Sequence, residues 1–263
     1  YYALPPLSNS KGQQTGAVYG VMNMLRNFQK KMQTSHVAVV FDAKGKTFRH
    51  KIYPEYKANR AVMPEDLQEQ IKPLHQLIKD FGFPLIIMPG VEADDIIGSL
   101  AALALKQGYE VVISTGDKDF AQLVQPGLSL INTMTNKKLD EAGVKDKFGV
   151  APHQIIDYLA LVGDTSDNIP GVMKVGPKTA VKWLQTYGSL KKIVEHADEI
   201  KGKVGENLRH AVASGELALS EKLVTIDCQL SRWSGWSSCT RECDGGVRQR
   251  TRSVLRTSKN GGE

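Results

Sequence analysis

Apolar positions along the chain recur first at helical spacing and then as short continuous runs. Val18, Val21, Met22, Leu25 and Phe28 predict a helix between Thr15 and Met32, with Thr15 as its N-cap. His36 to Asp42 is a nearly unbroken apolar run closed by an acid, which predicts a buried parallel strand with Asp42 at its tip. Pro64-Glu65-Asp66 opens a helix to about Phe81, and Pro84 to Met88 reads as the next strand. Ile96, Ile97, Leu100, Leu103 and Ala104 form another helical face, ended by Gly108 and followed by strands at Val111–Ile113 and near Leu128–Asn132. Such alternation predicts an α/β fold over residues 1–150, a mostly parallel sheet flanked by helices. From Pro152 the pattern turns helical: Ile155, Ile156, Leu159, Ala160 and Leu161 share a face that stops at Gly163, and helices continue to about Thr225. Residues 151–230 therefore form a second, helical region, and 231–263 an irregular tail rich in Trp and Arg.

The acids fall at ends of these elements. Glu92, Asp94 and Asp95 sit at a helix N-terminus, Asp42 at a strand tip, and Asp117 and Asp119 just past another strand. Helix-dipole complementation explains the first group and turn formation the others, each taken alone. Together they favour a divalent cation, because carboxylates brought to one sheet edge repel unless a hard cation lies between them. Asp164 and Asp167 add a further pair after Gly163.

Two basic stretches suit a polyanion. In residues 43–64, Lys44, Lys46, Arg49, His50, Lys51, Lys57 and Arg60 alternate with Phe48, Tyr53 and Tyr56, without a sustained apolar period. A loop of that kind offers cations to phosphates and rings to bases, although a solvated connection has the same composition. Further on, Gly171-Val172-Met173-Lys174-Val175-Gly176-Pro177-Lys178-Thr179 is a helix-hairpin-helix layout. Pro177 fits a first helical position, and the N–H groups behind it suit a phosphate, with Lys178 and Lys182 alongside.

Net charge is +6, but the tail alone carries seven Lys/Arg against three Asp/Glu, leaving 27 and 25 elsewhere. The main body is thus nearly balanced despite its acidic clusters. Cysteine divides the chain similarly: residues 1–227 have none, while Cys228, Cys239 and Cys243 crowd the end. No apolar run approaches the roughly 20 residues of a membrane span. The opening YYALPPLSNSKG lacks an initiator Met and a signal-peptide layout, and it reads as the start of a fragment.

Residues 3 to about 227 resemble the 5′-nuclease domain of bacterial DNA polymerase I, in the flap-endonuclease superfamily. The resemblance is carried by VVFDAKGKTFR, YKANR, GVEADDIIG, ISTGDKDFAQLV, INTMTN, LALVGDTSDNIPGV and VGPKTA. It implies a PIN-like core, a helical arch, a helix-3-turn-helix DNA-binding element, and hydrolysis of a 5′ flap or nicked strand supported by two Mg²⁺ ions, with Mn²⁺ as a substitute. Asp42, Glu92, Asp94, Asp95, Asp117, Asp119, Asp164 and Asp167 match the family's acidic metal cluster, and Lys57 and Arg60 match arch residues that approach the scissile phosphate. DNA contacts are implied for Lys44, Lys46, Arg49, Tyr56, Gly171, Val172, Lys174, Val175, Gly176, Lys178, Thr179 and Lys182, with K⁺ held by carbonyls of the hairpin turn. Implied partners are flapped, nicked or junction DNA, an RNA primer and a polymerase domain in the parent protein, in the bacterial cytoplasm. The family begins with an apolar strand ending in an Asp ligand, which this sequence does not include; we therefore expect little nuclease activity from the polypeptide as given.

Residues 233–263 resemble the first half of a thrombospondin type 1 repeat, through Trp233, Trp236, Cys239, Cys243 and the alternating Arg248 and Arg250. That resemblance implies an extracellular module, with Trp233 and Trp236 at modified positions and Cys239 and Cys243 as disulfide candidates. Three readings follow: a 5′-nuclease, a branched-DNA-binding module without catalysis, and an adhesive protein dominated by its tail.

Overall fold

The computed structural model describes residues 7–32, 34, 36–132, 135 and 137–230. These group into two compact units, the second made of Gly45–Arg60 with Asp94–Cys228.

The first unit contains helices α1 (Gly16–Met32) and α3 (Glu65–Asp80) and strands β1 (Val39–Asp42) and β2 (Leu85–Met88). The two strands pair in parallel, Val39 opposite Leu85 and Asp42 opposite Met88. Met22, Leu74, Ile78, Phe83 and Leu85 are buried together, and Val18, Val21, Leu25, Val39 and Phe41 pack against them. The N-terminus of α1 is capped differently from the expectation. Thr15 directs its hydroxyl to the carbonyl of Leu7, at 3.3 Å. The buried Gln70 of α3 instead accepts from Ala17 N, at 2.8 Å, and from Val18 N, at 3.4 Å. A tertiary contact thus satisfies the first helical N–H groups.

The second unit holds α2 (Phe48–Ile52), α4 (Ala93–Lys106, from its second residue), β3 (Val111–Ser114), β4 (Leu128–Asn132), β5 (Lys137–Leu139) and α5 (Glu141–Phe148). It continues through α6 (Ile155–Val162), α7 (Pro177–Tyr187), α8 (Leu190–Glu195), α9 (Lys203–Ala213) and α10 (Glu216–Val224). β3 pairs with β4 in parallel and β4 with β5 antiparallel. Among the described residues, the expected mostly parallel sheet is therefore two small sheets, one in each unit. Its β3, β4 and β5 face a helical core that includes Ile113, Phe120, Leu130, Leu159, Leu161, Trp183 and Leu208. The basic stretch is also more ordered than its pattern predicts, because Phe48–Ile52 is helical and turns follow it.

After α6 the chain doubles back in very little space. Gly163 (φ 73°) and Gly171 (φ 62°) both have the positive φ that favours glycine. A Cβ on Gly171 would lie 2.5 Å from Gly163 N. The crossing is fixed by Val172 N donating to Leu161 O, at 2.8 Å, and by Gly171 N donating to Ser220 Oγ, at 3.1 Å. Gly171→Ala combines an unfavourable φ with a backbone clash. It is expected to cost more than about 2 kcal/mol in urea unfolding; a loss under about 0.5 kcal/mol would show that the crossing is not constrained as described.

Candidate metal centre and nucleic-acid interface

The loop after β3 is pinned before it reaches its acids. Thr115 N donates to Ile131 O, at 3.0 Å, and Thr115 Oγ1 accepts from Asp117 N, at 3.0 Å. Asp117 Oδ1 in turn accepts from Asp119 N, at 3.0 Å. A 3-10 turn over Asp119–Leu123 then buries Phe120 and Ala121, which draws Asp119 inward. The result is an unusual carboxylate: Asp119 Oδ1 is buried and has no hydrogen-bond partner among the described residues. Burial, then the charge of Asp117, push the Asp119 carboxyl up to about 7, with smaller contributions from Asp164 and Asp167 and partial relief from Lys118.

The second pair of acids lies on the Gly163–Ile169 loop, closed by mutual backbone hydrogen bonds between Asp164 and Ile169 at 3.0 and 2.8 Å. Asp164 Oδ1 accepts from Ser166 N, at 2.7 Å, and from Asp167 N, at 3.3 Å. Its Oδ2 meets Lys118 Nζ at 2.6 Å. Burial opposes ionisation of Asp164, but Lys118 and Ser166 outweigh it and hold the carboxyl below the usual range. Asp167 receives Arg60 Nε at 3.1 Å, Lys57 Nζ at 3.7 Å and the Tyr56 hydroxyl at 3.3 Å. The backbone joins in: Lys57 N donates to Asp167 O, at 2.9 Å, and Asn168 Nδ2 to Glu55 O, at 2.7 Å. The base of the basic stretch is thereby docked on the acidic loop. Asp117, Asp119, Asp164, Asp167, Lys57 and Arg60 thus come together as one charged site.

Asp95 stands apart from them in its partners. Fully buried, it accepts from Arg49 Nη1 at 2.7 Å, Arg49 Nη2 at 2.8 Å and Asp227 N at 2.9 Å. Arg49 also donates to Leu223 O, at 3.0 Å, and Thr225 O, at 2.7 Å. Gln122 and Ser99 hold the same C-terminal segment through Val224, Ile226 and Asp227. Arg49, expected to contact DNA, is thus only 2% exposed and is spent on a strut inside the fold. Tyr56, likewise expected at DNA, is 3% exposed. Asp94 is half-buried in the first turn of α4. In the first unit, Glu92 is buried and the exposed Asp42 accepts from Ala93 N at 2.8 Å.

Other expected nucleic-acid residues fall into two groups. Lys44, Lys46, Lys174, Lys178 and Lys182 are exposed, whereas Val172 and Val175 are buried and give the hairpin turn its anchor. Lys174 takes a left-handed backbone (φ 65°), and Pro177 is the first residue of α7, so Lys178 and Thr179 follow in its open first turn. Sequence reasoning passed over Lys118, Ser166 and Ser220; for Lys118 the signal was its place between two acids in Gly116-Asp117-Lys118-Asp119.

Among the described residues, no group of three or more Asp, Glu, His or Cys side chains is gathered closely enough to hold a metal ion as the protein stands. The donor chemistry nevertheless fits a hard cation: the charges of Asp117, Asp164 and Asp167 bear on Asp119, whose buried Oδ1 has no hydrogen-bond partner among the described residues.

The chain belongs to the 5′-3′ exonuclease family. Its residues 1–149 match the family's N-terminal resolvase-like domain, and residues 150–242 match the C-terminal SAM fold. It is 49% identical over 244 residues to DNA polymerase I of Pseudomonas aeruginosa, covering 88% of this chain but 27% of that protein. It is 45% identical over 238 residues to a 5′-3′ exonuclease of Buchnera aphidicola subsp. Baizongia pistaciae, covering 88% of this chain and 78% of that one. The fold is also that of the T5 5′-exonuclease solved with bound zinc, with a TM-score of 0.69 at 21% identity over 91% of this chain and 90% of that one. The likeness of residues 233–263 to a thrombospondin type 1 repeat gains no support, since the exonuclease match itself runs through residue 242. Trp233, Trp236, Cys239 and Cys243 lie outside the described residues. Among the described residues no helix is long and apolar enough to cross a membrane.

Two outcomes follow from the charges. Because folding raises the Asp119 pKa, its contribution to stability is largest below about pH 4 and is lost as pH rises through about 7. Denaturant melts in a chelator should show wild type losing more stability than Asp119→Asn across that window; parallel curves would contradict it. Arg49→Met leaves Asp95 charged, buried and short of its main partner, and is expected to cost about 3–5 kcal/mol in urea unfolding. A loss under about 1 kcal/mol would rule out the strut.

Proposed function

We propose that this chain is a metal-dependent 5′-3′ exonuclease and flap endonuclease acting on DNA with a 5′ flap, nick or single-strand/duplex junction, including RNA primers. The observation that carries the reading is the buried, unpartnered Asp119 Oδ1 among the charges of Asp117, Asp164 and Asp167. Asp117, Asp119, Asp164 and Asp167, with Asp94 at the start of α4, would hold two Mg²⁺ ions, replaceable by Mn²⁺. Ions so held would supply an activated water and charge stabilisation on the attacking and leaving oxygens. Asp95 supports the helix that carries Asp94, through Arg49.

The protein's own groups do the rest. Lys57 and Arg60, already beside the acids, offset negative charge at the scissile phosphate. The hairpin turn presents backbone N–H groups at the start of α7, with Lys174, Lys178 and Lys182 around them, to the phosphates of the duplex arm. A K⁺ ion held by the carbonyls of that turn would stiffen the grip. The setting is the bacterial cytoplasm, and the polymerase partner is a domain of the same protein, in keeping with the match to part of DNA polymerase I.

A second reading, a branched-DNA binder without catalysis, draws on the absence, among the described residues, of three or more such side chains gathered closely enough to hold a metal ion. The purified chain with a 5′-flap duplex separates the two. Slow cleavage that requires Mg²⁺ and falls about 100-fold or more in Asp119→Asn is the expected result. Tight, salt-sensitive binding with the flap left intact at every Mg²⁺ or Mn²⁺ concentration would return the second reading.

A further inference from the structure

Neither catalytic nor DNA-binding work has been given to Lys118, yet three acids act on it. It follows Asp117 and precedes Asp119, and its ammonium lies 2.6 Å from Asp164 Oδ2. The same three carboxylates are the ones whose charges act on it, Asp164 foremost. Its side chain is 42% exposed, so the pair is not sealed into the core, whereas Asp164 is only 10% exposed. The acid is fixed and the base is free to leave. Asp164 is held from its other oxygen by Ser166 and Asp167 N, so departure of the lysine would leave Asp164 Oδ2 in place.

We infer that Lys118 is a built-in placeholder cation: its ammonium occupies the Asp164 oxygen in the metal-free protein and is displaced when a divalent ion enters. The inference rests on the metal reading of the site given above. Its physical ground is that two cations cannot share one oxygen at contact distance without strong repulsion, while an empty cluster of acids is itself unstable. The ammonium thus lowers the cost of the metal-free state and sets a threshold for metal uptake. Arg60 and Lys57 on Asp167 repeat the arrangement on the neighbouring acid, so the site is neutralised from within at two points. Lys118 differs from them in lying on the acidic loop itself, where it cannot move away with the basic stretch. Its role is positioning, since it acts on metal occupancy and touches no substrate in this scheme.

The test uses the whole chain without DNA. Mn²⁺ binding is measured by electron paramagnetic resonance at fixed ionic strength for wild type and Lys118→Met, with Lys118→Arg as the charge-keeping control. Lys118→Met should bind Mn²⁺ roughly tenfold more tightly, and Lys118→Arg should stay close to wild type. Melting in a chelator should be lower for Lys118→Met, with the gap closing at saturating Mn²⁺; this also shows whether the variant folds. To separate displacement from a simple change of net charge, reductive methylation of Lys118 is followed by mass spectrometry and should quicken when wild type is saturated with Mg²⁺. Equal or weaker Mn²⁺ binding by Lys118→Met, or a methylation rate indifferent to Mg²⁺, overturns the placeholder role. Wild type that takes up no Mn²⁺ at all overturns the metal reading of the site as well.

Discussion

Repulsion among Asp117, Asp119, Asp164 and Asp167 is the constraint around which the second unit is arranged. Burial raises the self-energy of the Asp119 charge, and the neighbouring carboxylates add to it. A fold can tolerate such a cluster only by pairing it, protonating it or admitting a cation. The first two routes are present, and the third is the proposed one. Lys118, Lys57 and Arg60 pair two of the acids, and Asp119 is pushed toward its protonated form.

The surrounding architecture keeps this unfavourable grouping from relaxing. Thr115 ties the first acidic loop to β4, and Phe120 sinks the start of the next turn into the core. Gly163 and Gly171 let the second loop cross itself where any side chain would collide with backbone. Behind both, Arg49 and Asp95 join α2, α4 and the segment after α10, with every strong donor directed to a carboxylate or a carbonyl. A buried pair of this kind adds less to net stability than its short distances suggest, because both ions lost their hydration. Its effect is to fix where three separated stretches of chain meet.

Much of this was legible in the sequence, and the remainder fails to be for identifiable reasons. The strand before Asp117, the stop at Gly163 and the start of α7 at Pro177 are set by local chemistry, and local pattern finds them. Asp164 and Asp167 were recognisable as companions of the earlier acids through motif resemblance, not through periodicity. The Arg49 strut was not, because its partners lie 46, 174 and 176 positions away and nothing near Arg49 distinguishes a buried guanidinium from a DNA-facing one. Gln70 capping α1 across 53 positions is hidden for the same reason. The antiparallel β5, with only three residues, is too short to announce itself by alternation.

The central claim is that the Asp119 carboxylate faces a cation site. A crystal of the chain soaked in Mn²⁺ and measured for anomalous scattering tests it directly. The account predicts a peak within coordinating distance of Asp119 Oδ1, about 2.0–2.3 Å, with Lys118 moved off Asp164. A fully soaked crystal with no peak there, Asp119 Oδ1 still bare and Lys118 still on Asp164, would contradict it.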